Sequence, residues 1–97
     1  MSAAMNAGTN APKQLRVLYF ARLRERLGRS EDAFSVPAEV GDVAALRAWL
    51  VARGEPWAQA FAEETRLRAA VDQRMARDDT ALSDGAEVAF FPPVTGG

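Results

Sequence analysis

One stretch of this 97-residue chain is strongly helical, and β-prone stretches lie on both sides of it. Val43, Leu46, Trp49 and Leu50 recur at helical spacing. Asp42 offers an N-cap side chain, and Gly54, followed by Pro56, closes the segment. A single dominant helix between strands points to an α+β domain, with that helix laid across a sheet.

The flanking strands are read from alternation. Leu15 to Phe20 places Leu15, Val17 and Tyr19 on one face and Leu18 and Phe20 on the other. Glu87 to Phe91 is the last strand, and Pro92-Pro93 ends it, because proline cannot donate to a ladder. A strand apolar on both faces is expected near the middle of its sheet. These two are therefore expected side by side at the centre. Between them, Ala21 to Leu27 is expected as a short helix stopped by Gly28, and Ala33 to Val36 as a short strand. Trp57 to Glu64 is expected to form a turn or two of helix. Leu67 to Val71 is a further strand, Asp72-Gln73 a turn, and Met75-Ala76 a very short strand. The architecture that fits is a β-grasp sheet. Residues 1–14 are expected to be a disordered extension, 15–91 the folded domain, and 92–97 a flexible tail.

Composition narrows the chemistry. Of 47 apolar residues 20 are Ala and none is Ile, so one modest core is expected. There is no Cys and no His, which excludes thiol nucleophiles, imidazole bases, disulfides and the usual zinc ligands. The net charge of -1 does not suit nucleic acid or an anionic membrane. Residues 1–12 lack the basic and apolar regions of a signal peptide, and no apolar run approaches a membrane span, so a cytoplasmic home is expected. Trp49, Leu46 and Leu50 are expected in the core. Arg22, Arg24, Arg26 and Arg29 are read as a solvated helix face. Asp78, Asp79, Asp84 and Glu87 are read as turn and solubility residues, or as an acidic collar facing a basic partner.

The end of the chain is its most distinctive part. Pro92-Pro93 leaves the last strand extended, and Val94-Thr95-Gly96-Gly97 follows with shrinking side chains. Six extended residues span roughly 20 Å, enough to enter a pocket in another protein. Glycine passes narrow channels and adopts backbone angles closed to other residues. What arrives is an unhindered carboxylate, which a partner enzyme can activate with ATP as an acyl-adenylate. Ordering four tail residues costs roughly 4–8 kcal/mol, so the domain surface must supply docking energy. Phe90 and Phe91 point to opposite faces of their strand; Phe90 is expected in the core and Phe91 exposed.

Val17-Leu18-Tyr19-Phe20-Ala21, Arg24-Glu25, Ala69-Ala70-Val71, Leu82-Ser83-Asp84-Gly85 and the whole of Glu87 to Gly97 closely resemble the small, sulfur-carrier subunits of molybdopterin synthases. The likeness runs from Leu15 to Gly97 without large gaps. It implies a ubiquitin-like β-grasp fold. It also implies that Gly97, presented with Gly96, is adenylated by a ubiquitin-activator-like adenylyltransferase and converted by a sulfur donor to a thiocarboxylate. The tail then enters the synthase large subunit and gives its sulfur to a cyclic pyranopterin monophosphate, forming the dithiolene of molybdopterin.

The resemblance implies no cofactor bound by this chain, ATP being used by the adenylating partner. The catalytic groups are expected on the large subunit, in an assembly of two small subunits flanking a large-subunit dimer. Phe20 and Phe91 match aromatic docking positions, Met75 an aliphatic one, and Arg24 a polar one; Pro92, Pro93, Val94 and Thr95 complete the partner-binding tail. The chain departs from the family in its N-terminal extension and in Asp72, where Asn is expected. Two rivals stand beside this reading: a carrier of the same fold for thiamine or tRNA thiolation, and a ubiquitin-like modifier or interaction module. Lys13 is the only Lys, so chains built on this protein's own lysines are not expected.

Overall fold

The computed structural model describes residues 11–93. Five strands and three helices follow one another: β1 (Lys13–Tyr19), α1 (Ala21–Leu27), β2 (Glu31–Val36), α2 (Val43–Ala52), α3 (Trp57–Glu63), β3 (Arg68–Val71), β4 (Arg74–Ala76) and β5 (Glu87–Phe91). The sheet order is β2-β1-β5-β3-β4. β1 and β5 run parallel and the other neighbours antiparallel, so the sheet is mixed. This is the expected α+β, ubiquitin-like β-grasp arrangement, with the first and last strands adjacent.

The local signals act as read. Asp42 caps α2 by accepting a hydrogen bond from the Ala45 amide at 2.8 Å. Gly28 ends α1 at φ 71°, in the left-handed region where glycine carries no Cβ penalty. Asp72 and Gln73 turn the β3–β4 hairpin at φ 49° and 70°. Two positive angles in a two-residue loop suit Asn-Gly better than Asp-Gln.

One face of the sheet is covered. Leu15, Val17, Tyr19, Val88, Phe90 and Ala69 meet Leu23, Leu27, Leu46, Leu50, Trp57 and Phe61 from the helices in one buried cluster. Phe61 stacks edge-on against Phe90, ring centres 5.4 Å apart. Tyr19 brings a polar group into this core and satisfies it. Its hydroxyl donates to Asp32 Oδ2 at 2.8 Å and accepts from Trp57 Nε1 at 3.2 Å. Arg29 closes the ring, bonding Asp32 at 3.1 Å and lying over the Trp57 indole. Burial pushes the Tyr19 phenol far above its ordinary range, with the Asp32 hydrogen bond adding to the rise.

Three expectations change. β1 begins at Lys13, not Leu15: Lys13 and Gln14 pair with Val36 and Ser35. The Gln14 amide also donates to Asp84 Oδ1 at 2.7 Å, and Lys13 Nζ to the Val40 carbonyl at 2.9 Å. These are ladder pairs and side chain–backbone bonds, which apolar alternation does not report. Residues 1–10 of the expected disordered extension lie outside the described residues. Trp49 is half-buried instead of core, because the Phe34 ring, 5.2 Å away, and the Arg53 guanidinium sit over it instead of a further layer. The arginines of α1 are only in part a solvated face, as described below. The two-sided apolarity of β1 and β5 does mark neighbouring interior strands, as expected, and no helix among the described residues covers their second face.

Candidate functional site

The open face is built by alternation from the same strands that build the core. With Tyr19 and Phe90 turned inward, Leu18 and Ala89 are registered on the other side. Ala89 is opposite Ala70, and Ala70 opposite Met75, so Leu18, Ala89, Ala70 and Met75 form one row across four strands. A second row lies nearer the chain end. Phe91 is opposite Arg68, and the Phe20 amide donates to the Phe90 carbonyl at 3.2 Å, which sets Phe20 beside Phe91.

Three large apolar residues are exposed among the described residues, and two belong to this face: Phe20 at 45% and Met75 at 64%. The third, Val51, stands alone on α2. Removing the exposed parts of Phe20 and Met75 from water is worth roughly 2–3 kcal/mol. Phe91, expected to be exposed, is half-buried, since Phe20 and Arg68 flank it. Phe90 is fully buried, as expected.

Phe20 sits at a corner. It precedes α1 in extended conformation, and the next residue, Ala21, has φ 55°. A non-glycine residue in that region costs about 1–2 kcal/mol, so the corner that presents Phe20 is held under strain. The Phe20 carbonyl accepts from the Leu23 and Arg24 amides and anchors the start of α1 there. Arg24 is exposed one turn on, with no ion pair among the described residues.

Its neighbours on α1 are engaged. Glu64, 8% exposed, accepts from Arg26 Nε at 2.9 Å and Arg22 Nη2 at 3.5 Å, and Arg26 also pairs with Glu63. The Arg26 hydrogen bond holds the Glu64 carboxyl below its ordinary range despite burial, and the Arg22 charge adds to this. Arg26 is pushed upward in turn, first by the same bond. These residues are far apart in sequence, so the pairing gives no local signal; it clamps α1 to the end of α3.

The tail leaves beside this clamp. β5 ends at Phe91, and Pro92 and Pro93 follow half-buried. Pro93 lines a shallow cleft with Arg22, Glu63, Glu64, Thr65 and Arg66. Val94, Thr95, Gly96 and Gly97 lie outside the described residues. Phe20, Phe91, Arg24 and the two prolines thus gather at one end of the open face, and Met75 lies across it on the edge strand. Leu18, Ala70, Ala89 and Arg68 belong to the same face and were not singled out from sequence. The alternation that put Leu18 with Phe20 was the available signal for Leu18; Arg68 had none. Of the acidic residues, Asp84 and Glu87 are in no ion pair among the described residues. Asp84 caps the start of β1, Asp72 Oδ1 accepts from the Glu87 amide at 3.0 Å, and Asp78 pairs with Arg47 of α2.

Known proteins share this layout. The ThiS family matches residues 17–97. The molybdopterin synthase sulfur carrier subunit of Escherichia coli (strain K12) is 48% identical over 83 residues, covering 86% of this chain and 99% of that protein. A structure from Pyrococcus furiosus described as a molybdopterin converting factor, subunit 1, superposes with TM-score 0.70 at 31% identity, covering 84% of this chain and 99% of that one. A chain from the complex of subunits 1 and 2 of the molybdopterin-converting factor of Helicobacter pylori 26695 shares the fold, with TM-score 0.59 at 22% identity over 87% of this chain and 99% of that one. The chain therefore belongs to the ThiS family, among the molybdopterin synthase sulfur carrier subunits.

Proposed function

We propose that this chain carries sulfur on its C-terminal carboxylate for the synthesis of molybdopterin. The observation that carries the reading is the position of the open apolar sheet face, which ends where Pro92-Pro93 leaves the sheet. The near full-length likeness to a named sulfur carrier subunit supports the choice of cargo.

In this reading the Gly97 carboxylate attacks the α-phosphate of ATP on an adenylyltransferase, and pyrophosphate leaves. Hydrosulfide supplied by a sulfur donor then displaces AMP from the acyl carbon, and Gly97 becomes a thiocarboxylate. The tail enters the large subunit, where the sulfur forms a carbon–sulfur bond to the cyclic pyranopterin monophosphate as a carbon–oxygen bond there breaks. Water releases the acyl group and restores the carboxylate, and two such transfers complete the dithiolene. The chain contributes no general acid or base. It contributes reach, a slim terminus, and a docking face that offsets the roughly 4–8 kcal/mol of ordering four tail residues. Phe20, Phe91, Met75 and Arg24 are the docking groups, and Gly96 and Gly97 the part that reacts. The Helicobacter pylori complex of subunits 1 and 2 supports a large-subunit partner. No helix among the described residues is long and apolar enough to cross a membrane, and in this reading the chain works in the cytoplasm.

The test is direct. The chain is incubated with ATP, a sulfur donor and its adenylating enzyme, then weighed intact, and afterwards mixed with the large subunit and pyranopterin. We expect one oxygen-for-sulfur exchange at Gly97, followed by molybdopterin formation. Absence of exchange, with molybdopterin still formed by a chain lacking Gly97, would sink the proposal.

A further inference from the structure

A flat apolar patch provides contact area but does not fix orientation; charge around it does. The two ends of the open face differ in charge. At the tail end, Arg68 lies opposite Phe91, Arg66 lines the exit cleft with Pro93, and Arg24 follows Phe20. All three are exposed, and none is in an ion pair among the described residues. Of the nearby acids, Glu63 and Glu64 are already held by Arg26 and Arg22. Glu25, next to Arg24, is exposed and in no ion pair among the described residues, so three arginines stand against one free carboxylate at this end.

At the other end the balance reverses. Glu87 begins β5, and Asp72 and Asp84 bond backbone amides, which leaves their charge uncompensated. Arg16, opposite Glu87, is paired with Glu31. Arg74 is registered with Val71 and so belongs to the helix-covered side. From Glu87 to Phe91 the strand rises four steps, about 14 Å. That exceeds the ~8 Å Debye length at physiological salt, so a partner meets the two ends as separate charges.

We infer that this face is keyed electrostatically to its partner: Arg24, Arg66 and Arg68 meet acidic groups around the mouth of the channel that receives the tail, while Asp72, Asp84 and Glu87 meet basic groups about 14 Å away. A docking pose turned end for end sets like charges together and points the tail away from the channel. This rests on the proposed function, in which the tail enters a large subunit.

The test measures association of the full chain with the cognate large subunit between low salt and 1 M salt. The Arg66→Glu/Arg68→Glu variant is expected to associate at least about tenfold more slowly at low salt, the scale on which steering acts. The deficit should close at 1 M, where the Debye length is ~3 Å. Arg66→Gln/Arg68→Gln gives a milder loss of the same form and guards against misfolding of the reversed variant. Glu87→Lys is expected to slow association severalfold. Wild-type rates for both arginine variants at every salt would overturn the inference and leave the carrier reading standing. Faster association of Glu87→Lys would overturn the acidic half. If the wild-type chain fails to bind the large subunit at all, the carrier reading and this inference fall together.

Discussion

The two faces of this sheet are cut from the same strands and have opposite fates. Tyr19 and Phe90 face inward and are buried with the helices; Leu18, Phe20, Ala89 and Phe91 alternate with them and remain at least partly open. Hydrophobicity does not separate the two sets. Coverage does: every helix lies on the inner side, because α2 and α3 follow one another across it and α1 is clamped to α3 by Glu64. An apolar residue is therefore core at odd positions of β1 and at even positions of β5, and contact surface at the others. The inner set should control stability, and the outer set association.

The widest gap should appear between Phe90 and Phe20. We expect Phe90→Ala to cost about 3–5 kcal/mol, a fall in Tm of well over 10 °C at the usual ~4–8 °C per kcal/mol for a domain of this size. Phe20→Ala should cost less than about 1 kcal/mol of stability yet weaken large-subunit binding by roughly tenfold, corresponding to about 1.4 kcal/mol. Thermal melts and titration calorimetry on both variants decide this, and equal stability losses would break the comparison.

Next comes Tyr19, the polar member of the inner face. Its raised pKa favours the neutral phenol in the folded state. The associated stability is present below the unfolded value near 10 and is lost as pH rises beyond it. With one Tyr, one Lys and no Cys, few other groups titrate in that window. Tyr19→Phe should destabilise the neutral protein by about 1–3 kcal/mol, since Asp32 and Trp57 lose their shared partner. It should also flatten the alkaline decline of Tm, and an unchanged decline would refute the assignment.

Glu64 tests what holds the cover in place. Its lowered pKa means the stability it contributes is present above the ordinary value near 4.3 and vanishes as pH falls through the native one. Glu64→Gln should therefore melt below wild type at neutral pH and converge with it in acid, as followed by circular dichroism. Smallest is Gln73→Gly, which removes a side chain from φ 70°. A gain of about 0.4–1 kcal/mol is expected, with large-subunit binding unchanged, because Gln73, unlike Asp72 beside it, is not among the docking residues.

Much of the fold was legible because its signals are local. The Asp42 cap, the Gly28 stop, the alternation in β1 and β5 and the proline end of β5 each act within a few residues. Phe90 rather than Phe91 in the core followed from the same alternation. What stayed hidden depends on distant partners. Arg22 and Arg26 meet Glu64 across 42 and 38 positions, so they read as surface charges. Lys13 and Gln14 are polar, and only pairing with β2 makes them strand. Trp49 matched the helical stripe but meets Arg53 and Phe34 instead of a further layer. Of the candidate site, Phe20, Met75 and Phe91, which the family resemblance singled out, lie on one face. Arg68 was silent, since an arginine opposite Phe91 is visible only once β3 and β5 are in register.

The placement of β5 also has a mechanical consequence. The tail is continuous with a strand bonded on one side to β1, in parallel, and on the other to β3. A pull through the C-terminus loads both ladders lengthwise, so their bonds resist together instead of opening one by one like a zipper. A terminus joined to an edge strand would peel. On the proposed function, a carrier whose tail is withdrawn repeatedly from its partner is in effect tethered by the middle plank of its own floor.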